Sequence, residues 1–285
     1  MKHLFFIFLL INSLTVVAQT AVTDSQAVTN PEQLIPKTLL DKVRQGDGEV
    51  AYFIGNMFKD GLDNEYQTIS QDVESAKKWF LKSAELGNIH GMYETGLILY
   101  HDKQWLTAKK WLNQAADAGM GDAFYRLAYF HVYGLGEEVV DCHKAYEMFS
   151  QAKIRGVRYA FNDWAWMLAT QPEKDCRNGH QALKIMAELE SEYGRQRMPW
   201  AMIDTKAAVL AEIADFNGAI ELQSWVVAGN CDITVSEIDD YTQLLDDYRQ
   251  RAEEDKVRGC DGYLERLQIY SQRQPWRETM ELTDD

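Results

Sequence analysis

Ala76-Lys77-Lys78-Trp79-Phe80-Leu81-Lys82-Ser83-Ala84-Glu85-Leu86-Gly87 and Ala108-Lys109-Lys110-Trp111-Leu112-Asn113-Gln114-Ala115-Ala116-Asp117-Ala118-Gly119 are one phrase written twice. It returns from Ala145 to Gly156, with Met148 in the tryptophan place. A unit that repeats cannot bury its apolar face alone and has to stack on its neighbours. The phrase therefore predicts an all-α fold: a right-handed α-solenoid of antiparallel helix pairs. Solenoids work by presenting surface.

Working outward, each phrase is the second helix of a unit. The first helices open at positions 50, 91, 123, 160 and 202, spaced 41, 32, 37 and 42 residues apart. Ala123, Tyr125, Leu127, Ala128, Gly134 and Gly136 set the pattern; Val50, Tyr52, Ile54, Gly55, Phe58 and Gly61 fill the same slots. Gly91, Tyr93, Thr95 and Gly96 follow it, then Ala160, Trp164, Ala165 and Leu168, and more loosely Met202, Lys206, Ala207 and Leu210. A small residue at the sixth slot lets the two helices of a unit approach closely. The slot-three aromatic and the Trp or Met of the second helix are expected to fill the space between units. Gly87, Gly119 and Gly156, with Asn230 at the same offset, suit left-handed helix ends. Asp72, Asp141 and Asn217 are placed to cap second helices. Variable spacing around constant pairs means that loops absorb the length differences.

These slots resemble the Sel-one-like repeat family, a variant of the tetratricopeptide repeat. The signature A-x-Y-x-L-G, G-x-G, A-x-x-W, A-A-x-x-G is carried by residues 50–87, 91–119 and 123–156. The second unit lacks the glycine loop and has His101-Asp102-Lys103-Gln104 instead. Trp164 to Thr170, Asp204 to Glu212 and Ala211 to Ala219 look more like plain tetratricopeptide units. The expected organisation is Sel-one-like repeats over 37–157, tetratricopeptide-like repeats over 158–230, and capping helices with a tail over 231–285. Ser236 can start a helix through Tyr248. Tyr263, Leu264, Leu267 and Tyr270 form a last apolar stripe, closed by Pro275-Trp276, and 280–285 read as a loose acidic tail.

The first residues are Met1-Lys2-His3, then the apolar run Leu4 to Ile11, then small residues at a Val16-x-Ala18 step. This reads as a secretory signal peptide over 1–18, cleaved after Ala18. No Cys follows Ala18, which argues against a lipid-modified start. Residues 19–36 are rich in Thr, Gln and Asn and read as a flexible leader. The expected location is periplasmic or secreted, in a bacterium. Apart from the signal, no stretch is apolar enough to be a membrane span. The formal charge of −15 makes phosphate backbones and anionic membrane surfaces poor partners.

Four cysteines are present, Cys142, Cys176, Cys231 and Cys260, an even count that suits disulfides in an oxidising compartment. Three connectivities are possible. Sequential pairing closes the shortest loops and is preferred; Cys142 and Cys176 both precede second helices of neighbouring units.

The chain has no H-E-x-x-H, no G-x-S-x-G and no phosphate loop. His131 and His143 flank a glycine loop with Glu137, Glu138 and Asp141, but without a usual ligand spacing. No metal, cofactor or catalytic residue is assigned, and the chain is read as no enzyme. Trp79, Trp111 and Trp164 are expected in the core. Trp166, Trp200 and Trp225 lie outside the strict slots and are the better candidates for exposed anchors, although packing is favoured even there.

The resemblance implies a groove lined by first helices. Positions between the core slots are then candidates for partner contact: Phe53, Met57, Glu94, Arg126, Tyr129 and Asp163. Their mixture of aromatic and charged types suits a protein or peptide partner. The leading expectation is a secreted adaptor. Two others stand beside it: an envelope enzyme acting on cell-wall material or β-lactams, and a structural subunit of an envelope or secretion assembly. Related proteins connected with penicillin binding carry regularly spaced cysteines inside each repeat, and this chain does not.

Overall fold

The computed structural model describes residues 31–63, 68–136, 139–194, 197–231 and 260–278. The signal peptide, residues 19–30 of the leader, the helix expected from Ser236, and the acidic tail lie outside the described residues. So do Glu137 and Glu138.

Among the described residues the fold is all-α apart from one short ladder. Helix α1 (Lys37–Arg44) precedes five helix pairs: α2 (Gly48–Asp60) with α3 (Val73–Glu85), α4 (Ile89–His101) with α5 (Trp105–Asp117), α6 (Gly121–Tyr133) with α7 (Cys142–Ile154), α8 (Tyr159–Thr170) with α9 (Gly179–Tyr193), and α10 (Trp200–Glu212) with α11 (Phe216–Asn230). Helix α12 (Asp261–Ser271) packs on α11. Consecutive helices pack on one another from α1 to α11, so neighbouring pairs share one stack. The 41-residue spacing of the first unit includes an antiparallel ladder of β1 (Leu62–Asp63) with β2 (Thr68–Ile69), whose Ile69 is buried.

The sixth slot does what its residue types predict. A methyl group on Gly55 would lie 2.6 Å from the Phe80 ring, and one on Gly96 would lie 2.8 Å from Leu112. Ala128 shares a buried cluster with Phe149, and Ala165 shares one with Met186. Bare backbone on the first helix thus receives a large side chain from the second.

That geometry corrects the expected filler. Trp79 and Trp111 are half-buried, whereas Phe80, Leu112 and Phe149, one place further along, are essentially sealed. One residue step turns a helix by about 100°. That step separates a residue aimed at the paired helix from one at the edge of the seam.

Helix ends follow local chemistry. Asp47, Asp72, Asn88, Asp141, Asn178 and Asp215 each accept a backbone N–H three residues on, capping α2, α3, α4, α7, α9 and α11. The cap of α11 is therefore Asp215 and not Asn217, which lies inside the helix. Gly87, Gly119 and Gly156 adopt positive φ, as expected after a helix. Asn230 does not, because α11 runs on through it.

The leader is shorter than expected. Pro31–Leu34 form one 3-10 turn, and Ile35 is buried with Val43, Ile54 and Phe58. Leu34 and Ile35 give residues 31–36 an apolar anchor beside α1 and α2. At the other end, Leu264 and Leu267 meet Val227, so α12 covers the last pair.

Both disulfides take the sequential pairing. Cys142–Cys176 joins the start of α7 to the turn before α9, with Cα atoms 5.5 Å apart. Cys231–Cys260 joins the end of α11 to the start of α12, at 5.7 Å. Both separations fall in the usual range for a disulfide. Each bond ties one stacked element to the next.

Candidate partner-binding site

Tyr125, Tyr129 and Tyr133 stand four residues apart on α6, which places them on one helix face. The Tyr125 and Tyr129 hydroxyls both donate to one carboxylate oxygen of Asp163 on α8, at 2.5 and 2.7 Å. Burial, reinforced by the Asp163 charge, pushes both phenols well above the usual tyrosine range. Tyr159 meets Tyr125 edge-on, with ring centres 4.8 Å apart, and its hydroxyl donates to Asp122. Arg126 lies over the Tyr100 and Tyr125 rings, against the Tyr93 hydroxyl. An aromatic band therefore runs along the first helices.

The band leads into a cavity of about 390 Å³ walled by first helices of units three, four and five. α6 supplies Tyr129 and Tyr133, and α8 supplies Asn162, Asp163 and Trp166. α10 contributes Asp204, α12 contributes Arg266, and the segment after α12 contributes Trp276 and Glu278. The Arg266 guanidinium grips Asp204 through two bonds of 2.8 Å. It lies 5.2 to 5.6 Å from the ring centres of Trp166, Tyr263 and Trp276. Burial raises the Asp204 carboxyl above its ordinary value, and Arg266 opposes that rise only in part.

The segment after α12 crosses the end of α8. The Glu278 N–H donates to the Thr170 carbonyl at 2.9 Å, and Trp166 Nε1 donates to the Glu278 carboxylate at 2.9 Å. Arg277 donates to the Ala169 carbonyl at 3.1 Å and pairs with Glu212 at 2.7 Å.

Of the six positions expected to face a partner, Tyr129 and Asp163 meet in this cavity. Arg126 is part-buried among the tyrosines beside it. Glu94 pairs with Lys59 at 3.2 Å, and Phe53 is 54% exposed; neither lines the cavity. Met57 is a correction: it is buried with Ile54 and Phe58, on the side of α2 that meets the core. Trp166 is a cavity wall, whereas Trp200 and Trp225 are about two-fifths exposed, Trp200 lying against the bare Gly229. Tyr133 was recoverable from the four-residue tyrosine spacing. Asp204, Arg266 and Glu278 carried no such signal.

Among the described residues no group of three His, Cys, Asp or Glu could hold a metal ion. No helix among them is long and apolar enough to cross a membrane.

Stacked helix pairs with an aromatic, charge-bearing wall of first helices define a helical-repeat protein of the kind that serves as a protein-interaction scaffold. Its residues 48–88, 91–120 and 122–157 match the Sel1 repeat. The pairs α8–α9 and α10–α11 continue the stack beyond the matched stretches. No curated protein matches the sequence. Among solved structures, the chain is similar to c5321, a protective antigen of uropathogenic Escherichia coli displaying an SLR fold. Identity there is 15%, the TM-score is 0.52, and 84% of this chain and 56% of that one are covered. It also resembles a Sel1 repeat protein from Oxalobacter formigenes, at 17% identity and TM-score 0.49, over 67% of this chain and 77% of that one. The first likeness shows the fold alone.

Proposed function

We propose that this protein is a periplasmic or secreted adaptor that holds a protein or peptide partner against its first-helix face and performs no catalysis. The observation that carries this reading is the cavity of about 390 Å³ at the end of the tyrosine band. Pockets of about 300–1,000 Å³ are the size that accepts a small ligand or an anchoring group. Rigid aromatic walls with a few fixed charges are what anchor residues of a partner need. Two disulfides support an oxidising compartment. The basic, apolar, small-residue start supports removal of residues 1–18.

Two measurements test the reading. Fractionation with N-terminal sequencing should find the protein in the periplasm or medium, starting at Gln19; a cytoplasmic protein with four free thiols refutes the location. A photo-crosslinking residue at Tyr133 should capture a discrete partner that the same residue at Lys110, on the outer face, does not. Equal capture at both positions refutes the first-helix face as the contact surface.

A further inference from the structure

We propose that the cavity takes a cationic side chain, guanidinium or ammonium, from the partner. This rests on the adaptor reading and names the chemistry of its anchor.

Four charged side chains line the cavity: Asp163, Asp204, Glu278 and Arg266. Arg266 is committed to Asp204 by two bonds. Asp163 and Glu278 remain, and both are held by neutral donors, the Tyr125 and Tyr129 hydroxyls and the Trp166 indole. Neutral donors satisfy a carboxylate's geometry but leave its charge in place. The wall therefore carries two carboxylates that have no ion-pair partner among the described residues, in a site partly withdrawn from water. Tyr133 senses them: its phenol is pushed up to about 12, first by burial and then by Glu278 and Asp163.

A second observation is independent of those charges. Gln171 is only 3% exposed, yet its Oε1 lacks a hydrogen-bond donor. Asn162 is in a similar state: its amide nitrogen donates to Asp163 at 3.3 Å, and its Oδ1 has no donor. Both residues line the cavity. Buried polar atoms are normally satisfied, so the lining offers two acceptors that call for N–H donors, beside one unpartnered donor, the Trp276 indole Nε1. A guanidinium brings five and an ammonium three. The Tyr133 ring adds a face on which a cation is favoured, whereas the Trp166 and Trp276 rings already have Arg266 beside them.

Residues 279–285 hold no Lys or Arg that could supply the cation, and Glu281, Asp284 and Asp285 would be repelled. A metal ion is a poor candidate, because no three metal-binding groups converge among the described residues.

The test uses the full processed chain and an array of short peptides in which single Arg or Lys residues are exchanged for citrulline or acetyl-lysine, with free arginine and agmatine alongside. Binding is followed by calorimetry and by tryptophan fluorescence. The cationic peptides should bind at least about tenfold more tightly than their neutral counterparts. Asp163→Asn and Glu278→Gln remove the charge and keep the shape, leaving an amide oxygen to accept from Tyr125 and Tyr129 or from Trp166; each should cut that preference to below about threefold, with folding confirmed by circular dichroism. Peptides that bind regardless of charge, or a preference that survives both variants, overturn the cation site and leave the adaptor reading intact. Free arginine or agmatine binding where no peptide binds keeps the cation site and overturns the adaptor reading. Silence from peptides and amines alike overturns both.

Discussion

Trp166 donates its indole N–H to the Glu278 carboxylate at 2.9 Å, a bond that spans 112 positions of sequence. It joins the middle of the fourth helix pair to a segment beyond the last helix, and both residues are walls of one cavity. Trp166→Phe removes the donor together with part of the ring. It should cost at least about 1 kcal/mol of stability and speed amide exchange at Glu278, whose N–H holds the Thr170 carbonyl. Urea unfolding and hydrogen exchange read the two effects. Unchanged exchange at Glu278 would show that the segment is held without the indole.

Gly55 and Phe80 test the seam. Gly55→Ala improves helix propensity by about 1 kcal/mol. The added methyl would nevertheless stand 2.6 Å from a ring that is 1% exposed and has nowhere to turn. Overpacking of this kind costs about 1–3 kcal/mol, so a net loss is expected in urea melts. A gain would mean that the helices can part at no cost, against the close approach assigned to the sixth slot.

Arg266 and Asp204 form the ion pair with the clearest dependence on pH. Their side chains are 12% and 10% exposed. Arg266→Met leaves a buried carboxylate unpaired and should cost about 3–5 kcal/mol at neutral pH. The folded pKa of Asp204 is already raised by burial, so its protonated form favours the fold. Stability from such a group is present below its unfolded value of 3.8 and is lost as pH rises through the folded value. Removing Arg266 lifts the folded value further. The loss in the variant should therefore shrink on going from pH 7 to pH 4, measured by denaturant melts at each. A loss that does not change with pH would show that Arg266 acts through packing alone.

Cys142–Cys176 closes 34 residues across a unit boundary. Cys142→Ser with Cys176→Ser should remove about 2–4 kcal/mol. Proteolysis should then begin in the turn between α8 and α9. Cleavage elsewhere, with that turn intact, would argue that the bridge is not what holds it.

The repeat was legible because each of its rules is local. Ala76, Ala108 and Ala145 open similar phrases, and a glycine eleven places on follows each helix. The disulfide pairing was legible for a related reason: in a stack, neighbours in sequence are neighbours in space. Other readings failed where a side chain's direction mattered more than its type. Trp79 and Met57 are apolar residues whose burial depends on the rotation of one helix against the next, and position in the repeat did not settle it.

The candidate site divides along the same line. The sequence by itself determined that helix pairs stack and that first helices carry aromatic and charged residues between core slots, because bare sixth slots and helix-ending glycines act within a single unit. Only the tertiary structure decided that Asp163, Asp204, Arg266 and Glu278 share one cavity. These residues belong to four separate segments, and docking α12 and its following strand of chain across α8 and α10 brings them together.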